Sequence, residues 1–277
     1  MKLYITGLLA ALAVTASANV SLQQQPFLGP VQSCNDSIVS CHWKEPANTC
    51  CSPKYGLVVF VQQWVENYGP DNEFTIHGLW PNNCNGGRAP NRGCDSSRAW
   101  NNVATILRNK NPNLYQRMKT FWPSYKGDDN WFWYVKLEQL VAPFPSIIHC
   151  FQSKRSHEWV KHGTCVSTLS PSCYGNEYSP YQDVIDYFEQ VLFLREEYDV
   201  YGALNVAGIS PGGYYSAKAM LDALRQGFGN SVKIDCDRYG QLSEVWLYFN
   251  VGGRTNYQMV DAEVASTCRG RVYYPKK

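Results

Sequence analysis

The sequence predicts an α+β fold held together by disulfides, and three observations predict it. Leu57 to Trp64 (LVVFVQQW) is rich in β-branched and aromatic residues, the composition of a buried strand. Val184, Ile185, Phe188, Val191 and Leu192 recur at helical spacing. Strands and helices do not alternate regularly along the chain, which argues against a doubly wound sheet.

Taken in order, the chain opens with the pattern of a signal peptide. Lys2 supplies the positive start, Leu3 to Val14 is an apolar run too short to span a bilayer, and Ala16-Ser17-Ala18 is a small-x-small cleavage site. The expected division is a signal peptide over 1–18 and a single domain over 19–277. No other stretch is long and apolar enough to read as a membrane helix. Asn35-Asp36-Ser37 is a glycosylation sequon, so Asn35 is a candidate acceptor on the secretory route. A polar loop containing Gly86, Gly87, Pro90 and Gly93 follows the segment Phe74 to Pro81. Ser179-Pro180 reads as a helix start with proline at the first position. Ser216 caps a second helix through Leu224, closed by Gly227 and Gly229. Val232 to Cys236 and Leu242 to Phe249 read as paired strands joined by a turn from Asp237 to Gly240.

The chain carries eleven cysteines, a number that suggests disulfides in a secreted protein and leaves one thiol over. The formal net charge is only +2. That excludes the broad basic coat of a general nucleic-acid-binding protein, though a cleft enzyme that grips a few nucleotides needs none.

There are five histidines: His42, His77, His149, His157 and His162. Three of them stand in two unusual segments, Phe-Thr-Ile-His-Gly-Leu-Trp-Pro (74–81) and His-Glu-Trp-Val-Lys-His-Gly-Thr-Cys (157–165). On an α-helix, His157 with Lys161 and Glu158 with His162 would each share a face, one turn apart. Gly163 would then let the chain turn out of the helix. Three readings compete for this cluster. One is a solvated helix end with ordinary ion pairs. A second is a zinc site, but a helical zinc site needs its imidazoles one turn apart. Here the second histidine comes one residue late, about 140° around the helix, and Lys161 occupies the ligand position. The third is general acid–base chemistry, since histidine titrates near neutrality. His42 has no such neighbours and reads as structural.

The two segments resemble the active-site segments of the ribonuclease T2 family, the secreted acid endoribonucleases of fungi, plants and animals. The resemblance extends over nearly the whole mature chain, including its cysteines. It implies an α+β fold with helices packed on a central, mainly antiparallel sheet. It also implies the five disulfides of the fungal branch: Cys34 with Cys51, Cys41 with Cys84, Cys50 with Cys173, Cys94 with Cys165, and Cys236 with Cys268, leaving Cys150 unpaired. It further implies an RNA substrate, no cofactor and no metal. His162 is then the general base and His77 the general acid, His157 binds phosphate, and Glu158 and Lys161 assist at the transition state. Trp80 lines the site, and Gln63, Pro123, Ser124 and Phe132 fall where fungal relatives contact the second base. Asn82 stands where some relatives carry an aspartate at the first base. RNA supplies its own 2′-hydroxyl nucleophile, so DNA is not cut this way. The resemblance gives no reason to expect membrane attachment or more than a monomer, and it fits an extracellular or vacuolar-lysosomal destination. The alternative is a secreted binding or cytotoxic effector of the same fold with dispensable catalysis.

One stretch looks foreign to that family. Relatives read aromatic-Trp-x-His-Glu-Trp; here Phe132-Trp133 fits the first half and Ser156-His157-Glu158-Trp159 the second, with Tyr134 to Arg155 between them. Trp-Tyr-Val must be encoded with a G-TAY-GT, a form of intron donor, and an AGG codon for Arg155 supplies an acceptor that restores the frame. The expectation is that Tyr134 to Arg155 is a retained intron, and the alternative is a genuine inserted lid. Peptide mapping of the natural protein decides between them: a peptide running from Trp133 directly into Ser156 is expected, and one containing Cys150 overturns the reading.

Overall fold

A computed structural model describes residues 34, 38–42, 48–100, 102–124 and 158–277. The signal peptide, Asn35, Phe132, His149, Cys150, His157 and the segment Tyr134 to Arg155 lie outside the described residues.

The chain forms two strands, β1 (Leu57–Gln63) and β2 (Thr75–Asn82), then two helices, α1 (Val103–Lys110) and α2 (Pro112–Phe121). A run of short turns leads into α3 (Gln182–Glu197) and α4 (Val200–Val206). After these come β3 (Gly213–Ser216), α5 (Ala217–Phe228), β4 (Lys233–Cys236), β5 (Leu242–Gly252), β6 (Asn256–Val260) and β7 (Arg271–Tyr274). The central sheet is antiparallel throughout, in the order β2-β1-β5-β4, with β6 pairing the far half of β5. β3 and β7 form a separate two-stranded ribbon. This is the α+β architecture the sequence predicts. No described helix is long and apolar enough to cross a membrane.

The pleat of β1 sorts its side chains. Val58 and Phe60 enter the main core with the helices, while Val59 and Val61 join Trp80, Trp246 and Tyr248 on the opposite face. α3 lies across the first of these faces, burying Val184, Phe188, Val191 and Leu192 as their spacing predicts. It begins at Gln182, two residues later than the Ser179-Pro180 signal places it. Tyr181 stands in the left-handed region (φ 72°), which helical backbone does not tolerate. Ser216 does cap α5, its hydroxyl accepting from the Ala219 N–H, but the helix runs on to Phe228. Gly227 is therefore inside it, packed on Ala203, and Gly229 (φ 86°) alone makes the stop. α1 and α2 fully bury Val103 with Leu107 and Leu114 with Met118, each pair at the i,i+4 spacing of a core-facing helix.

Five disulfides are formed: Cys34–Cys51, Cys41–Cys84, Cys50–Cys173, Cys94–Cys165 and Cys236–Cys268. These are the pairs the resemblance implies. His42 lies at the sheet end, its Nε2 2.9 Å from Asn250 Nδ2, away from the other described histidines.

Candidate active site

β2 delivers the first histidine through a bulge. Val61 pairs with Gly78 and Gln62 with Ile76, so His77 is the extra residue in the β1–β2 ladder. A bulge bends the strand and re-aims its side chains. Ile76 and Leu79 consequently both reach the main core although they are three residues apart. His77 and Trp80 project together on the other side, their rings nearly perpendicular at 5.0 Å between centroids.

His77 is held at two points. Its ring Nδ1 lies 2.7 Å from Glu244 Oε1. The carboxylate can only accept, which places a proton on Nδ1 and leaves Nε2 as the nitrogen whose protonation can change. Its backbone carbonyl accepts from the Trp122 indole at 3.2 Å. Burial by itself lowers the imidazole pKa, but the hydrogen bond and negative charge of Glu244 outweigh it, and the net shift is upward. Glu244 sits on β5, one strand away from β2 across β1, and its second oxygen accepts from the Trp246 indole at 2.8 Å.

The second segment is not the α-helix that spacing suggests. Glu158–His162 makes a single π turn and Gly163–Cys165 follows as a 3-10 turn. The reason is the anchoring of Trp159. Its indole donates to the Arg98 carbonyl at 2.6 Å and its ring packs on Tyr187. Gly163 lies against that ring, where any Cβ would overlap it. Arg98 then fixes the exit of the segment by donating to the carbonyls of Thr164 and Leu169. A widened turn of this kind is common at functional sites.

The π turn carries His162 to Trp80, with ring centroids 5.8 Å apart. Trp80 is thus the common neighbour of both imidazoles. Glu158 is fully buried behind them with the Trp80 indole nitrogen beside its carboxyl, a weak hydrogen bond that favours the charged form but falls short of ordinary geometry among the described residues. Gly78 makes this approach possible, because a Cβ there would overlap the carboxylate and the indole together. Burial pushes the Glu158 carboxyl up to about 8, against the opposing charges of His77 and Lys161. Its protonated form is thereby favoured relative to that of an exposed carboxyl.

The Gln63 side chain is buried and donates to the Ile76 carbonyl at 3.3 Å, which ties it to β2. Pro123 and Ser124 directly follow Trp122, whose indole bonds the His77 carbonyl, and Ser124 is buried. No group of three or more His, Cys, Asp or Glu side chains among the described residues is arranged to hold a metal.

The sequence profile described as the Ribonuclease T2 family matches residues 38–261. This chain belongs to the ribonuclease T2 family. Ribonuclease Rh of Rhizopus niveus is 46% identical over 245 residues, covering 88% of this chain and 93% of that protein. Ribonuclease T2 of Aspergillus oryzae is 36% identical, covering 83% and 79%. Among solved structures, Actibind, described as a T2 ribonuclease, superposes with a TM-score of 0.75 at 34% identity, over 90% of this chain and 99% of that one. The enzyme is accordingly an endoribonuclease of this family.

Sequence reasoning missed Glu244 and Trp246 in this ribonuclease T2 enzyme. The signal was present, because Leu242 to Phe249 reads as a strand, and Glu244 is a lone carboxylate alternating with the buried Val245 and Leu247.

Proposed function

We propose that this ribonuclease T2 enzyme is secreted and cleaves single-stranded RNA by transphosphorylation, leaving 2′,3′-cyclic phosphates, with little base preference. The observation that carries the reading is the convergence of His77 and His162 on Trp80, one from a strand bulge and the other from a π turn. His162 takes the proton of the 2′-hydroxyl as that oxygen attacks phosphorus. His77, whose protonated form Glu244 favours, gives its Nε2 proton to the departing 5′-oxygen. The roles reverse if water later opens the cyclic phosphate.

Lys161 opposes the charge that grows on the phosphoryl oxygens, and His157 binds phosphate in the ground state. Glu158 is buried, so its influence on phosphorus passes through its neighbours His77 and Lys161. Trp80 offers an indole face for a base, with Gln63, Pro123, Ser124 and Phe132 assigned to the second base. No cofactor takes part and DNA, lacking the 2′-hydroxyl, is not cut. The enzyme acts as a monomer, and five disulfides suit an oxidising compartment outside the cell or in a vacuolar-lysosomal lumen. The effector alternative gains nothing from the structure, since a pure binder does not need this paired arrangement of imidazoles.

The test is to incubate the protein with RNA in chelator and analyse the ends. Cyclic phosphates are expected, and loss of cleavage in chelator would point to a metal enzyme. The same assay run against pH tests the role of Glu244. The acid His77 must be protonated, and its raised pKa holds it so to higher pH. Glu244→Gln removes that support, so the high-pH limb of kcat/KM should move to lower pH. An unmoved limb would show that Glu244 does not govern the acid.

A further inference from the structure

Away from the catalytic groups, the β3–β7 ribbon turns an unusual face to solvent. Tyr214 and Tyr273 are register partners on adjacent strands, and their rings lie 4.7 Å apart at 35°. The Arg271 guanidinium covers the Tyr214 ring at 4.4 Å. The buried neighbours Val272 and Tyr274 point the other way, into the main core. Tyr214 is 58% exposed.

A second pair of the same kind adjoins it. Tyr239, in the β4–β5 turn, is 68% exposed, and the Arg238 guanidinium stands 4.7 Å from its ring centroid. The two pairs are joined through backbone, since the Tyr273 N–H donates to the Gly240 carbonyl at 3.1 Å. Folding leaves these large aromatic faces in water, which costs free energy that a core position would recover. Each is accompanied by a guanidinium.

Aromatic rings interleaved with arginines have the chemistry of a platform for single-stranded nucleic acid. Bases stack on the rings regardless of sequence, and the guanidinium groups neutralise phosphates. The platform is reached along the hairpin that carries Glu244. From Gln241 to Glu244 a strand advances only about 10 Å, so a bound RNA strand can span both places.

We propose that Tyr214, Tyr273, Tyr239, Arg238 and Arg271 form a second binding site for single-stranded RNA, which holds the chain a few nucleotides from the scissile bond. This deepens the endoribonuclease reading by giving the enzyme a preference for long single strands over dinucleotides. An acidic protein partner would be the competing occupant.

The test compares the full-length enzyme with Tyr214→Ala/Tyr239→Ala and Arg238→Gln/Arg271→Gln variants. Binding of a fluorescein-labelled 2′-O-methyl oligoadenylate, which cannot be cleaved, reports on the site without catalysis. Each double variant is expected to weaken it about tenfold or more, and the arginine variant should also flatten its salt dependence. With cleavable oligoadenylate, KM should rise with kcat unchanged, while ApA kinetics stay at the parental value. Unchanged oligonucleotide affinity overturns the proposal, as does an equal loss on ApA, which would mean a disturbed fold. If the parental enzyme bound the oligonucleotide but cut no RNA, the catalytic reading would fail and this site would stand.

Discussion

Replacing His77 or His162 with alanine is expected to lower kcat for RNA by roughly 10²–10⁴-fold, the range a positioned proton-transfer group supplies. The double variant should be little worse than either single one, because the two act as a unit and the first loss already stops concerted transfer. The fold should survive. The His77 side chain is 30% exposed, so its loss opens no deep cavity, and Glu244 keeps its hydrogen bond to the Trp246 indole. Thermal unfolding and product analysis on the same preparations check both halves. Near-parental cleavage in either folded variant would remove that histidine from the mechanism.

Breaking Cys94–Cys165 is expected to inactivate as well as destabilise. Cys165 ends the 3-10 turn that directly follows His162, and Cys94 lies in a loop stitched to the same segment. The Cys94 N–H donates to Thr164 Oγ1 at 3.1 Å, and that hydroxyl donates to the Val160 carbonyl at 2.6 Å. The disulfide thus secures the exit of the π turn that aims His162. Loss of a native disulfide costs about 2–5 kcal/mol, so the Cys94→Ser/Cys165→Ser variant should show a lower denaturation midpoint and, where still folded, a reduced kcat. Cys236–Cys268 joins β4 to the segment before β7 and makes no such connection. Its removal should cost stability with a smaller loss of kcat in the folded fraction, because it joins β4 beside Glu244 but no residue of the π turn. Equal effects of the two deletions on kcat would show that the first disulfide does not position His162.

How legible the molecule was differs from element to element. β1 announced itself because both of its faces are apolar, which leaves an unbroken run of strand formers. The β4–β5 hairpin was readable because Asp237 to Gly240 interrupts two such runs. α1 and α2 were harder to read because they are short, eight and ten residues, so each apolar stripe is little more than one i,i+4 pair. The helix expected over the second histidine segment failed for a different reason. Spacing reports what an isolated helix would do, whereas Trp159, seated under Tyr187 and bonded to Arg98, dictated a wider turn.

By itself the sequence determined the family and the groups available for chemistry: two histidine segments, their order, and the accompanying Glu158 and Lys161. Residue identity is a local property, and acid–base capacity travels with the side chain. The tertiary structure decided how those groups are tuned. Only strand register places Glu244 against His77, and only the bulge at His77 turns that ring toward Trp80. Only close packing over Gly78 buries Glu158 deeply enough to push its carboxyl pKa upward. Protonation state depends on desolvation and on charges brought near through space, and neither is written at any single position in the chain.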